Sequence, residues 1–328
     1  MKNMYKLSII MALLVILGSC QKDKNNVTPI DKIFPPRVED FAKIRNDALQ
    51  KRMQKFRISV GNNMEMTSES GVSIRLNQYA LKINGEPVSG EIDVEFLELY
   101  DSGNMLVTNK RTMGQHPNGD RSLIITGGAF YINASQDGVP LDRETQISLE
   151  VPGELTGGVD EEMILWDGEL DEDGNLTWIP MDVENPEVGK RNGLGFEGTS
   201  YYAFFADFGW TNIDKFYNDP RPKTELWVKA PEGFNGKNSA IYLKYKGEGN
   251  ALASLDVFDT EKQLFTEHYG PIPIGIECHL IFATESEGMW RVGVKSLTIE
   301  EDKVYEFVGS DTNLMSESDL VNLINELP

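Results

Sequence analysis

The densest set of oxygen ligands in the chain is Asp171-Glu172-Asp173-Gly174-Asn175. Calcium favours clustered carboxylates, and a glycine permits the sharp loop that wraps them round the ion. With Gly174 at the sixth place of a twelve-residue calcium loop, Glu169, Asp171 and Asp173 take places one, three and five. The twelfth place is then Pro180, which has no carboxylate to close the site. Asp171 and Asp173 stand as a weak calcium candidate, and no metal is expected. A solvated hairpin tip between Ile164-Leu165-Trp166 and Leu176-Thr177-Trp178 is the simpler reading. A second pattern is Phe208-Gly209-Trp210-Thr211-Asn212-Ile213-Asp214-Lys215-Phe216, with Tyr201, Tyr202 and Tyr217 nearby. Aromatic faces stack on sugar rings while amides and carboxylates bond hydroxyls. Trp210, Asn212, Asp214 and Tyr217 are therefore the candidate ligand-binding residues. The competing reading is a core strand leading into a turn, with Asn212 and Asp214 bonded to local backbone.

Nucleophilic and metal chemistry finds little else. His116, His268 and His279 lie far apart, none with a metal-ligand partner two to five positions on. Cys278 and His279 are adjacent in a strand pattern, so they face opposite sides and cannot pair. Cys278 reads as a small buried apolar residue. No Gly-x-Ser-x-Gly, phosphate loop or dinucleotide fingerprint occurs, and Gly153 to Gly158 is too short and lacks the lysine. A pair of carboxylates could serve a glycosidase, so a hydrolase is a third reading; the expectation is a protein that is not an enzyme.

Cys20 is the residue with the most specific surroundings. Lys2 and Lys6 precede an apolar run from Leu7 to Leu17, broken only by Ser8. The run is about eleven residues long, where a bilayer span needs roughly 20, so it reads as a secretory signal. It ends in Leu17-Gly18-Ser19-Cys20, which resembles the lipobox of bacterial lipoproteins. That resemblance implies recognition of Leu17, Gly18 and Ser19 by signal peptidase II, cleavage before Cys20, and a diacylglycerol and palmitate anchor on its sulfur. Gln21-Lys22-Asp23-Lys24 resembles outer-membrane sorting, and its lysine followed by acid resembles the surface-export signal of Bacteroidota lipoproteins. Lys24 interrupts the acidic part, so a periplasm-facing orientation is the alternative to surface display. Cleavage removes Lys2 and Lys6 and no acid, which takes the net charge from −21 to −23.

The elements that would carry these residues follow from periodicity. Residues 20–36 form a tether ending at Pro35-Pro36. Val38, Phe41, Ile44, Ala48, Met53 and Phe56 step mostly by threes and fours, which predicts an amphipathic helix over 37–57. From Ile58 the period becomes two, as in Ile92-Asp93-Val94-Glu95-Phe96, with Asn84-Gly85, Asn118-Gly119, Asp137-Gly138 and Asp173-Gly174 as turns. Short strands at regular spacing predict an all-β chain of tandem antiparallel β-sandwiches, immunoglobulin-like or transthyretin-like, over 58–218 and 219–310. Residues 311–328 end in a short helix, with Ser316 and Asp319 spaced as a capping box and Leu320, Leu323, Ile324 and Leu327 as its stripe.

Asn84-Gly85-Glu86-Pro87-Val88-Ser89-Gly90, Glu98-Leu99-Tyr100-Asp101, Gly127-Gly128-Ala129-Phe130 and the 208–216 run resemble a group of uncharacterised Bacteroidota lipoproteins. The resemblance implies fold and cell location and carries no catalytic residues. In 328 residues, 52 acids against 31 bases argue against nucleic acid as a partner. The expected object is a lipid-anchored outer-membrane lipoprotein acting as a non-catalytic binding or structural module, with a glycan or an envelope protein as partner. A glycan-binding accessory of polysaccharide uptake is the runner-up.

Overall fold

The computed structural model describes residues 32–62, 64–171, 174–181, 192–267 and 272–328. The chain is mostly β, with short helices near both described ends. Helix α1 spans Val38–Arg52 and buries Phe41 and Ala48. Glu39 and Asp40 in its first turn and Lys51 and Arg52 in its last complement the helix dipole. The expected extent of 37–57 is too long. Met53 is already extended, and Gln54–Ser59 is a strand paired with Glu91–Leu99. Phe56 lies three positions after Met53 but also two before Ile58, and the strand period wins because a partner strand is present.

Helix α2, Ser102–Thr108, has no counterpart in the sequence reading. It is seven residues long and buries Met105, Leu106 and Val107. The Asp101 carboxylate caps it by accepting from the Asn104 amide at 2.8 Å, and Asn109 closes it at φ 55°. Helix α3, Glu317–Glu326, starts where expected, with Ser316 Oγ accepting from the Asp319 amide at 3.1 Å. At its other end the buried Lys244 Nζ donates to the carbonyls of Ile324 (3.1 Å) and Leu327 (2.7 Å). Terminal helix carbonyls lack partners of their own, and a cation there also suits the dipole.

The largest sheet runs in the order Gln54–Ser59, Glu91–Leu99, Arg121–Gln136, Gly209–Phe216, Ile164–Leu170, Leu176–Pro180, Met113–Gln115. The last strand pairs in parallel with its neighbour at Trp178↔Gly114 and returns to the third at Met113↔Leu123. The five strands from Arg121–Gln136 onward therefore close into a ring, which an open antiparallel sandwich does not anticipate. Three tryptophans determine the glycines here. A Cβ on Gly114 would lie 2.9 Å from the Trp166 ring, and one on Gly168 would lie 2.5 Å from Trp210 Cβ and 2.9 Å from the Trp178 ring. Each buried indole withdraws roughly 150–250 Å² from water, on the order of 4–6 kcal/mol of gross transfer free energy.

One face of the ring sheet shares a core with a second sheet ordered Gly193–Glu197, Ser200–Asp207, Glu144–Pro152, Ser73–Leu76, Glu65–Thr67. Val94, Phe96, Phe130 and Ile132 meet Ile74, Leu149, Tyr201 and Ala203 there. In the second half, the sheet built on Ser239–Tyr245, Glu277–Ser286 and Met289–Thr298 shares a core with the sheet built on Trp227–Lys229 and Leu264–Thr266. Leu243, Leu280 and Phe282 meet Val228, Phe265 and Phe307 there.

A third core joins the halves. Phe41, Ala48, Met105, Leu106, Leu320 and Ile324 of the three helices lie with Leu97, Trp166 and Trp178 of the ring sheet and Tyr242, Ile281 and Trp290 of the second half. Residues 58–218 and 219–310 are thus joined through one helical layer rather than strung as separate units. Arg52 ties the layer together, donating to Asn104 of α2 (2.7 Å) and Glu317 of α3 (2.8 Å).

Gly168→Ala forces a Cβ into the tryptophan contacts. The expected loss is about 1–3 kcal/mol of stability, by overpacking. Urea unfolding followed by tryptophan fluorescence measures it; an unchanged midpoint would mean that the ring is loosely packed.

Candidate functional site

The four residues singled out as a ligand platform do not form one. Trp210 is 6% exposed, and Asn212 and Asp214 are fully buried. Trp210 packs against Tyr131 and Trp178. Tyr217 turns to the second half, edge-on to Tyr245 at 5.2 Å between centroids. The structure does bring Asn212 and Asp214 together, as an internal network. Thr126 Oγ1 donates to Asn212 Oδ1 at 2.9 Å, and Asn212 Nδ2 donates to Asp214 Oδ2 at 2.6 Å. Side-chain bonds thus stand beside the backbone bond that Asp214 accepts from Gly127. Asn212 and Asp214 are alternate residues of one strand and share a face; the register shift between them falls opposite Gly128, at φ 130°. Burial pushes the Asp214 carboxyl well above its ordinary 3.8.

The other sequence candidates are accounted for in place. Both Asp171 oxygens accept from Asn175, from its amide N–H at 2.8 Å and its Nδ2 at 3.0 Å. Asp173, His268, Cys20 and the Leu17, Gly18 and Ser19 recognition residues lie outside the described residues. Cys278 and His279 face opposite sides: burial holds the Cys278 thiol up at about 12, while His279 meets Ser296 Oγ at 2.8 Å. His116 stacks on Phe216 at 4.0 Å.

Two surface features were missed. The first is a cleft of about 700 Å³ where α1, the segment after α2 and the second half meet. Arg45, Arg111 and Lys237 line it, and Asp256 is the only acid among its described lining residues. The Arg45 guanidinium lies 3.8 Å from the Phe41 ring centre, and its Nη2 donates to Tyr242 Oη at 3.1 Å. Tyr242 Oη donates in turn to Asn109 Oδ1 at 2.9 Å. The Arg111 side chain is 3% exposed. It donates to Ser254 Oγ and, at 3.2 Å, to Asp256 Oδ2, which also accepts from Arg121 at 3.2 Å. Nε of Arg45 and Nε of Arg111 are buried without a hydrogen-bond partner. Just behind, burial and the charges of Arg45 and Arg111 bring Lys110 down to about 8. No sequence pattern reveals this cluster, because its members come from segments far apart.

The second is a groove of about 750 Å³ on the outer face of the second sheet, lined by Arg75, Asn77, Gln146, Ser148 and Phe204. Phe204 is 49% exposed and lies opposite Gly193, while Tyr202 lies opposite Gly195. The glycine partner leaves the Phe204 ring uncovered, while Tyr202 is half-buried and donates to Glu150 at 3.0 Å. The signal was present in Tyr201-Tyr202-Ala203-Phe204-Phe205, which carries aromatics on both faces of one strand. No family model, curated protein or solved structure matches the chain.

The raised Asp214 carboxyl has a sign that can be checked. The native state keeps a proton that the unfolded chain releases above 3.8. Its contribution is complete below that pH and is lost as pH rises toward the folded value. Asp214→Asn keeps a neutral group of the same shape, so the variant should lose less stability than the parent between about pH 5 and about pH 8. Urea midpoints at both pH values test this; equal slopes would show that Asp214 does not titrate in this range.

Proposed function

We propose that this chain is a lipid-anchored lipoprotein of the bacterial outer membrane, of the Bacteroidota type. It displays a non-catalytic binding or structural module at the cell surface. The observation that carries the reading is the ordered set Lys2, Lys6, the Leu7 to Leu17 run and Leu17-Gly18-Ser19-Cys20. Cys20 is the acylated residue, and several chains of methylenes at about 0.8 kcal/mol each hold far better than one myristoyl chain. No helix among the described residues is long and apolar enough to cross a membrane. The two sheet pairs, each enclosing its own core, support a reading as β-sandwich modules of immunoglobulin-like or transthyretin-like kind. The cleft between them is the binding element of the module.

A second reading, a glycan-binding accessory lipoprotein, is favoured by the outer groove. Phe204 offers a ring face beside Arg75, Asn77 and Gln146. A glycan array should then show binding that Phe204→Ala abolishes and Trp210→Ala leaves in place in a folded variant.

For the anchor, Cys20→Ser should abolish labelling by palmitate and leave the protein soluble or as an unprocessed precursor. Normal labelling of that variant would sink the assignment. Protease shaving of intact cells should remove the chain; its protection beside a digested surface protein would place it facing the periplasm.

A further inference from the structure

We propose that the cleft between the halves binds a small organic anion, whose carboxylate, sulfate or phosphate group is held by Arg45 and Arg111. This deepens the binding-module reading and does not depend on the anchor. The first support is charge. In a chain of net charge −21 the cleft is lined by Arg45, Arg111 and Lys237 against Asp256. Asp256, the one acid among the described lining residues, accepts from both Arg111 and Arg121 through Oδ2.

The second support is an unmet donor. Arg111 is nine-tenths buried and lines the cleft, yet its Nε has no hydrogen-bond partner. A buried N–H without a partner is costly, and a guanidinium presents its donors in a planar fork that fits two oxygens of an oxyanion. Arg45, which also lines the cleft, has a second such Nε. Its plane is fixed by Phe41 and by the Tyr242 hydroxyl, so little side-chain freedom remains to be lost on binding.

The third support is shape. About 700 Å³ walled in part by Phe41, Phe258 and Phe265 accommodates a body of one or two sugar rings with an apolar face. An inorganic ion would leave most of that space and those walls unused.

The test is isothermal titration calorimetry on the full chain in detergent. The probes are galacturonate, N-acetylglucosamine 6-sulfate, glucose 6-phosphate and neutral galactose. At least one anion should bind and galactose should bind at least about tenfold more weakly. The anion that binds best identifies which oxyanion the cleft selects. Arg45→Gln, on a half-exposed helix position, should weaken binding by about tenfold or more with an unchanged melting curve. Arg111→Gln should do the same where it folds. Asp256→Asn, which removes the competing carboxylate, should strengthen binding. Silence with all three anions, equal binding of galactose, weaker binding in Asp256→Asn, or full affinity in a folded Arg45→Gln would each overturn the proposal. None of these outcomes touches the lipid anchor, which palmitate labelling tests alone.

Discussion

Two sheets in this protein are apolar on both faces, and a sheet of that kind has to be covered twice. In Glu277–Ser286 eight consecutive residues are buried, so neither face of the strand can be left to water. In the ring sheet Leu165 and Trp166, neighbours on one strand, belong to different cores. Each sheet finds its first cover in its own half. The second cover is shared, and it consists of α1, α2 and α3. The rest of the arrangement follows from that need. The helices are short because they only have to span a gap between sheets, and Gly103 of α2 is required because a Cβ there would lie 2.5 Å from the Val321 carbonyl of α3. The cleft is where the helical cover stops short, so polar side chains meet solvent beside apolar walls.

Much of this was legible from residues near one another in the chain. The apolar stripe of α1, the cap at Ser316 and the Asn-Gly and Asp-Gly turns are local, and local signals survive folding. The end of α1 was misread because Phe56 satisfies two periods at once, and only the presence of Glu91–Leu99 as a partner decides between them. Helix α2 was invisible for another reason. It is buried on nearly every side, and Met105-Leu106-Val107 are its only large apolar residues, so it shows no stripe, and so short a run does not distinguish helix from strand. Closure of the ring depends on Met113–Gln115 pairing on both sides, which no periodicity records.

The candidate site divides in the same way. Trp210, Asn212 and Asp214 share a face, as alternate residues of a strand do. Alternation says nothing about what covers that face, and here Tyr131 and Trp178 cover Trp210 while Thr126 bonds Asn212. The cation cleft unites Arg45, Arg111 and Asp256 from three distant segments, so its chemistry exists only in the folded chain. An anionic ligand approaching such an acidic protein meets repulsion at long range and attraction only at contact. Salt screens the first over about 8–10 Å and acts less on the second, which is partly buried. Recognition of this kind favours ligands that are locally abundant over ligands gathered from a distance.

The salt bridge from Arg52 to Glu317 has a kinetic consequence. Its partners are 265 positions apart, and they close the same core that holds Phe41 and Ile324. Loop-closure entropy has to be met before such contacts give anything back, which places this protein among slow folders. While α3 is still absent, the inner faces of both sheets and the buried face of α2 stand open to water. A chain that folds as it emerges, N-terminus first, would therefore carry its stickiest surface until its final helix arrives, and a chaperone would meet that surface first.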